Sequence, residues 1–403
     1  MKNDIADFLS KFDLDLRKSN YSRFIDQKVT PDVLSFVADC ILNITSGNTT
    51  KTFSRKDIEN SLYFKKNIVA IYSKPSPENP NTSREYDKFI GQQLRMLNYS
   101  HILASEKIGL TYHYTIENAE ILQYISIKER NALNFLYEYI LKVLKDSGLL
   151  IYFEEFKNTY ENNLLTNDDL RKLRDKFEQF IHGNTKIEKD YEPRRMFPKI
   201  LNVYANVNNL PGTKSGLLSQ SIFGYYDLMY NNINFRDLNK LKSETRQDAV
   251  DKNKKIILES QIEQHKLYDT YRISKAIKFI KEKYSESEVH DRSGGKADHV
   301  HHIFSKSDFP QISAYLENLI KLTTYQHLSL AHPSGNTKII DKDYQLTCLI
   351  SKSISIENSL KNNEFFYSKE SFIYVLNTGL EKNIEPILSF DEIRRELAII
   401  YTN

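Results

Sequence analysis

The stretch ADHVHHIFSKSDF, residues 297–309, places three histidines within four positions. The chain has 403 residues and ten histidines, and six of the ten lie between positions 290 and 332. The segment HVHHIF is short, partly β-branched and alternating, which predicts a β-strand. Consecutive side chains on a strand point to opposite faces, so His301 and His302 face in opposite directions. One imidazole can then bind a metal ion while its neighbour stays free to accept a proton.

The sequence that follows predicts a compact set of elements around the remaining histidines. The loop SKSDFPQISAYLE leads to a second apolar run, NLIKLTT, and then to a short helix, TYQHLSLAH, capped by Thr323 or Thr324. This helix carries His327 and ends at His332-Pro333. Five residues rotate by about 140° on a regular α-helix, so His332 joins His327 only if the helix breaks before Pro333.

These residues resemble the three motifs of the HNH, or ββα-metal, nucleases over about forty residues, roughly a tenth of the chain. The resemblance implies that His301 binds the metal ion, that His302 is the general base and that His327 is a second ligand. It also implies that Asn318 braces the loop by hydrogen bonds. The HH pair and the nine-residue step from Asn318 to His327 are similar to the colicin-type subgroup, in which a further helix histidine binds the metal. The nearest residue here is His332.

Elementary chemistry supports the same roles. Hydrolysis of a phosphodiester requires a deprotonated water, a neutralised phosphate and a stabilised departing oxygen. The imidazole of His302 suits the first task, and a cation held by His301 and His327 suits the other two. We expect one divalent metal ion per site. Mg²⁺ is the first expectation, and imidazole ligands also admit Mn²⁺, Ni²⁺ or Zn²⁺.

Hydrophobic periodicity predicts a mainly α chain, α+β overall, with a large helical N-terminal region and a small ββα-metal motif in the C-terminal region. Helices are predicted at 129–148 and at 167–183, with Asn167 as the N-cap of the second. Residues 208–221 form a turn-rich loop, and charged, irregular sequence near 186–197 suggests a boundary. We expect a helical domain at 1–190, a connecting, DNA-contacting region with long basic helices at 191–290, the nuclease motif at 291–345 and a helical segment packing on it at 346–403.

The size of the chain bears on its function, because the nuclease motif accounts for so few residues. A large chain attached to such a motif is typical of a site-specific endonuclease of double-stranded DNA. We therefore predict a Type II restriction enzyme, Type IIS enzymes included, whose N-terminal half reads DNA. Residues 245–284 contain ten Lys or Arg against six Asp or Glu. The candidate phosphate contacts are Lys199, Lys214, Arg236 and Arg246. Two cuts in a duplex imply a homodimer on DNA, and a cognate DNA methyltransferase is expected in the same system.

The overall composition excludes several classes of site. The formal net charge is only +3, so a basic surface must come from uneven distribution. Cys40 and Cys348 have no CxxC partner, which excludes a thiolate zinc site and a disulfide framework. The N-terminus lacks the apolar core of a secretory signal, and the longest apolar runs are too short to span a bilayer. We therefore expect a cytoplasmic protein with no membrane partner.

Several alternatives stay open. A non-specific, toxin-like HNH nuclease and a modification-dependent one belong to the same class. A non-catalytic nucleic-acid-binding protein with a structural metal is the alternative from another class, and RNA remains a candidate substrate. Asp146, Glu155 and Lys157 loosely match the PD-(D/E)xK nuclease pattern.

Overall fold

The computed structural model of the protein describes residues 2–18, 22–72, 74–79, 85–162, 164–230, 254–291, 296–333, 336, 340–364 and 366–402. Over these ranges the chain is mainly helical and carries three small antiparallel sheets, which confirms the predicted mainly α, α+β fold class. The chain divides into two compact units, residues 1–261 and 262–403. The finer division into four segments stays a prediction. In the described part, no helix combines the length and the apolar character needed to cross a bilayer.

Unit 1 is built around ten α-helices within its described residues. They are α1 (Lys2–Ser10), α2 (Pro31–Thr45), α3 (Arg55–Asn60), α4 (Leu62–Tyr72), α5 (Glu85–Tyr99), α6 (Ala119–Ile127), α7 (Glu129–Asp146), α8 (Leu150–Glu161), α9 (Asn167–Asn184) and α10 (Tyr191–Val207). Helix α2 lies at the centre and packs against α6 and α7. The predicted helices at 129–148 and 167–183 are α7 and α9. The N-cap of α9 is Thr166, not Asn167, because Thr166 and Asp169 form a capping box.

Three features of unit 1 differ from the sequence predictions. The stretch near 186–197 is not irregular, because α10 begins within it and tolerates Pro193 in its first turn. The expected loop at 208–221 is instead a hairpin of β4 (Pro211–Lys214) and β5 (Leu217–Ile222), which turns through Ser215 and Gly216 at positive φ. A three-stranded sheet of β1 (Phe53–Ser54), β2 (Leu103–Ile108) and β3 (Thr111–Ile116), in the order β1-β3-β2, also lies in the helical half.

A buried carboxylate lies at the start of α2. The side chain of Asp32 accepts hydrogen bonds from the Thr30 hydroxyl at 2.7 Å and from the backbone N–H of Tyr230 at 3.0 Å. Burial raises the pKa of Asp32 to about 6, and the nearby Glu129 adds to the rise. Asp32 therefore stabilises the fold more when it is protonated than when it is ionised.

Asp32→Asn tests this effect, because an amide keeps both hydrogen bonds and cannot ionise. The folded-state pKa of about 6 exceeds the ordinary 3.8, so the free energy of unfolding of the wild type falls as pH rises between about 4 and 6. We expect the variant to gain about 3 kcal/mol relative to wild type between pH 4 and pH 7. Urea unfolding of the full chain, followed by circular dichroism at each pH, measures it. A stability difference that does not change with pH would contradict the assignment.

Unit 2 contains residues 262–283 of α11 (Lys254–Lys283) and the elements that follow it. These are β6 (His299–His302), β7 (Leu319–Leu322), a π-helical turn (Gln326–Ala331), α12 (Lys342–Lys361), α13 (Lys369–Leu380) and α14 (Phe390–Thr402). Strands β6 and β7 pair antiparallel, with His301 opposite Ile320. Helix α12 packs against α14 and against the π-helical turn. The strand, loop, strand and helix therefore follow one another in the order that the sequence predicts.

The outer edge of β7 is covered by the segment that follows α11. The backbone N–H of Glu288 donates to the carbonyl of Lys321 at 2.9 Å, and the N–H of Lys321 donates to Glu288 Oε2 at 2.8 Å. Lys352 Nζ, on α12, donates to Glu288 Oε1 at 2.9 Å and to the Tyr367 hydroxyl at 2.8 Å. The side chains of Lys352 and Glu288 are 0% and 1% exposed. A buried ion pair thus joins α12 to the edge of the two-stranded ribbon.

Lys352→Met removes one partner of this pair and leaves the Glu288 carboxylate buried without a cation. We expect a loss of about 3–5 kcal/mol in the free energy of unfolding, because an unpaired buried charge carries its full desolvation cost. Glu288→Gln in the same chain should recover part of that loss. Lys361→Met is the matched control, since Lys361 lies on the same helix and pairs with Glu357 at the surface. It should change stability by less than about 1 kcal/mol. Equal effects of the two single variants in urea unfolding would refute the role of the buried pair.

Candidate metal centre

Strand β6 separates the histidines by alternation. His299 and His301 share one face of the strand, and His302 lies on the other. His301 is 3% exposed, whereas His302 is half-buried. The strand is only four residues long, so its pairing with β7 and the cover on the outer edge of β7 fix the direction of each imidazole.

The helix after β7 begins with a reciprocal pair of hydrogen bonds. The Thr323 hydroxyl accepts from the Gln326 N–H at 3.2 Å, and Gln326 Oε1 accepts from the Thr323 N–H at 2.9 Å. These are the bonds of a capping box, so the cap is Thr323 and not Thr324. His327 comes directly after Gln326 and lies half-buried at the start of the turn.

The winding of this helix decides the position of His332. Residues Gln326–Ala331 are π-helical, and a π-helix pairs residue i with i+5 where an α-helix pairs i with i+4. Residues five apart in such a turn come to the same side, and His332 is the C-cap five residues after His327. The helix also ends at Ala331, before Pro333, and His332 has an extended backbone with φ −124° and ψ 95°. His332 could join His327 only if the helix ended before Pro333, and it does end there. The π-helical winding also widens the last turn.

Three imidazoles converge as a result. One ring nitrogen from each of His301, His327 and His332 lies within 4.8 Å of the other two. The ring centroids are 4.9–5.3 Å apart, at steep interplanar angles. Nitrogens that share one tetrahedral Zn²⁺ lie about 3.4 Å apart. The three rings would therefore have to move only slightly towards one another to bind one ion. The ring of His299 stacks nearly parallel on that of His327, with centroids 4.9 Å apart. His299 is not one of the three histidines whose nitrogens converge.

The electrostatics of the cluster suit a cation. Burial lowers the pKa of His301 to about 3 and that of His327 to about 4, and the neighbouring imidazoles add to both shifts. Both rings are therefore neutral near pH 7 and keep the lone pair that a metal ion requires. His327 Nδ1 is buried and has no hydrogen-bond partner among the described residues. An orphaned ring nitrogen at this position fits a metal ligand, because a buried polar atom otherwise finds a partner.

His302 is oriented by a backbone carbonyl. Its Nε2 lies 3.0 Å from the carbonyl oxygen of Ser313. A carbonyl can only accept, so Nε2 carries the proton and Nδ1 is the nitrogen with the lone pair. Burial lowers the pKa of His302, and the hydrogen bond to Ser313 acts in the opposite direction. The ring is thus held in one tautomer that can accept a proton at Nδ1.

Asn318 joins the two ends of the loop between the strands. Its Oδ1 accepts from the Phe304 N–H at 2.8 Å, and its Nδ2 donates to the carbonyls of Phe304 at 3.1 Å and Ile312 at 3.3 Å. The side chain is 0% exposed. The loop that carries Ser313, the partner of His302, is therefore fixed from within.

The candidate phosphate contacts have different surroundings. Lys199 is half-buried in unit 1, close to Asp32, and burial lowers its pKa. Lys214 is exposed in the same unit, 3.9 Å from Asp227. Arg236 and Arg246 lie outside the described residues. The structure thus gives Lys214 a surface position, whereas Lys199 is partly withdrawn from the surface of unit 1.

The PD-(D/E)xK alternative loses its geometric basis. Glu155 and Lys157 lie on α8, where residues two apart do not share a face. Asp146 is engaged by Lys142 and by the Leu14 N–H at the end of α7.

Two residues that support the elements carrying the three histidines were not singled out from the sequence. Glu288 gives no local signal, because its partners Lys321 and Lys352 are far away along the chain. Gln326 has a signal, since Thr323 and Gln326 match the T-x-x-Q pattern of a capping box. Comparisons of the chain with protein-family models, with curated proteins and with solved structures find no match.

His332→Ala tests the three-imidazole cluster. We expect the full chain to bind one Zn²⁺ or Ni²⁺, and the variant to bind it at least 10-fold more weakly, because one of three ligands is lost. Chelator competition measures the dissociation constant. His290→Ala is the matched control, since His290 is an exposed histidine of the same unit. Equal affinities of His332→Ala and wild type would remove His332 from the site.

Proposed function

We propose that the protein is a metal-dependent, site-specific endonuclease of double-stranded DNA, a Type II restriction enzyme, Type IIS enzymes included. The observation that carries the proposal is the convergence of His301, His327 and His332 beside a histidine, His302, whose tautomer is set for accepting a proton. Metal ligands and a separate base are the two groups that hydrolysis of a phosphodiester requires.

The number of ligands favours catalysis over a structural metal. The described residues offer three nitrogens at the cluster and no fourth protein ligand. Structural zinc sites are closed by four protein ligands, whereas catalytic sites leave one position for water or substrate. The binding-only alternative also gives no role to His302, which is bonded to Ser313 and not to the cluster.

The donor set bears on the choice of ion. Three imidazole ligands suit Zn²⁺, Ni²⁺ or Mn²⁺ better than Mg²⁺, which prefers oxygen ligands. Mg²⁺, the first expectation from the sequence, would need most of its ligands from water and phosphate. The bound ion would act as a Lewis acid on the scissile phosphate and on the departing oxygen. His301, His327 and His332 would hold it.

The protein's own residues supply the rest of the site. His302 Nδ1 accepts the proton of the attacking water, while the Ser313 carbonyl holds Nε2–H and steadies the imidazolium that forms. Asn318 keeps the loop around Ser313 in place and so fixes the ring of His302. Burial of His301 keeps its lone pair available for the ion rather than for a proton.

A site-specific nuclease needs a part of the chain that reads the DNA sequence. We assign the reading of DNA to the parts of the chain outside the ββα motif, with Lys214 as a surface candidate for phosphate contact. Two cuts in a duplex favour a homodimer on DNA. The proposal includes a cytoplasmic location, where the nuclease meets DNA. It also includes a partner methyltransferase, because a site-specific nuclease must spare the DNA of its own cell.

Cleavage of unmethylated plasmid and phage DNA tests the proposal. Purified wild type and His302→Ala are compared after chelation, with Mg²⁺, Mn²⁺, Ni²⁺ or Zn²⁺ added back. We expect discrete fragments from the wild type and a rate at least 100-fold lower for the variant, because its general base is lost. His302→Ala should still bind Zn²⁺, and His290→Ala should cleave like wild type.

The other outcomes separate the alternatives. A smear that the mutation abolishes would indicate a non-specific nuclease in place of a restriction enzyme. Cleavage of methylated but not of unmethylated DNA would indicate a modification-dependent nuclease, and cleavage of RNA alone would change the substrate. Full activity of His302→Ala would refute His302 as the base. Binding of DNA without cleavage under every metal would favour the structural-metal alternative.

A further inference from the structure

Gln326 connects the metal centre to a segment that is distant from it in sequence. Its side-chain oxygen accepts from the Ser287 hydroxyl at 2.6 Å and from the Thr323 N–H at 2.9 Å. Its side-chain nitrogen donates to the Val289 carbonyl at 3.0 Å. The residue is 1% exposed. One amide therefore joins residues 287–289 to the first residue of the π-helical turn.

The same segment is bound to β7 at a second place. Glu288 and Lys321 exchange backbone and carboxylate hydrogen bonds, and the Ser287 hydroxyl also lies 3.3 Å from the Lys321 carbonyl. Residues 287–289 are thus fixed to the ribbon independently of Gln326. They provide a rigid point to which the amide of Gln326 holds the start of the π-helical turn.

From these contacts we propose that Gln326 is a positioning residue for the metal centre. It fixes the turn from which His327 extends directly and which His332 follows immediately, after the last residue of the turn, Ala331. This inference rests on the proposed metal site, but not on the identity of the substrate. The amide acts through the backbone of the turn, and it does not bind the ion.

The chemistry of the amide explains why glutamine fills this position. The glutamine side chain accepts two hydrogen bonds and donates one. An ionised carboxylate cannot donate a hydrogen bond, and an apolar side chain can neither donate nor accept one. Loss of the amide would leave the Val289 carbonyl and the Thr323 N–H without these bonds in a buried place. The turn would then be free to change its winding, and the two histidines would no longer be held at the same separation.

The test compares Zn²⁺ affinity with stability in the full chain. Gln326→Met keeps the length of the side chain and removes all three bonds, while Gln326→Glu keeps the acceptor bonds and loses the donor. Asn377→Ala is the matched control, because Asn377 makes two amide bonds to Ile384 elsewhere in unit 2. Zn²⁺ dissociation constants come from chelator competition, and stability comes from urea unfolding of the metal-free proteins.

We expect Gln326→Met to weaken Zn²⁺ binding by about 10–100-fold, as the loss of groups that orient metal ligands does. Gln326→Glu should recover part of that affinity. Asn377→Ala should lower stability and leave the affinity within about twofold of wild type. Gln326→Met that loses stability but binds Zn²⁺ like wild type would overturn the proposal, because its role would then be only structural.

Further outcomes keep this inference distinct from the proposed function. Should Gln326→Met fail to fold, Ser287→Ala removes a single bond to the same amide, and unchanged Zn²⁺ affinity in that variant would count against the proposal. Weaker Zn²⁺ binding by Gln326→Met in a protein that cleaves no nucleic acid would support the positioning role while the nuclease proposal fails. A wild type that binds no Zn²⁺ would overturn this inference together with the metal site.

Discussion

The position of the three-histidine cluster depends on the Glu288 carboxylate, which bonds the outer edge of β7 where a third strand would otherwise pair. Glu288 gives β7 one backbone bond and one side-chain bond along its outer edge, and Lys352 neutralises the charge in the interior. A two-stranded ribbon is marginally stable by itself, and four-residue strands offer little area for packing. The buried ion pair therefore fixes the ribbon on which His301 and His302 lie, and through it the direction of both imidazoles.

Burial and strand alternation give the neighbouring residues His301 and His302 different surroundings. The face of β6 that carries His301 meets the π-helical turn, where desolvation keeps the imidazoles neutral. The next residue, His302, finds a carbonyl acceptor in the loop that Asn318 braces. Four consecutive residues of strand thus place one imidazole in the three-histidine cluster and a second, with its own lone pair, on the opposite face. The arrangement needs no cysteine ligand, in agreement with a chain that has only two.

The sequence predicted those parts that arise from local patterns. Alternation in HVHHIF separated His301 from His302, and helical periodicity located α7 and α9. The whole sheet β1-β3-β2 was missed, because β1 has only two residues and helical periodicity dominates the sequence around β2 and β3. The β4–β5 hairpin was missed because its turn residues suggested a loop. The role of His332 remained open because a regular α-helix would turn it away from His327. The ion pair of Glu288 had no local pattern at all, since a buried charge is found only when the chain has folded around its partner.

The π-helical turn has a consequence for how such sites are described and altered. A ligand pair is defined by the side of the helix to which both rings point, and the number of residues between them follows from the winding. A helix that widens by one residue per turn can therefore absorb a single-residue insertion between two ligands without separating them. Patterns written with one fixed spacing will miss chains of this kind, whereas patterns that accept His-x3-His and His-x4-His as equivalent will find them.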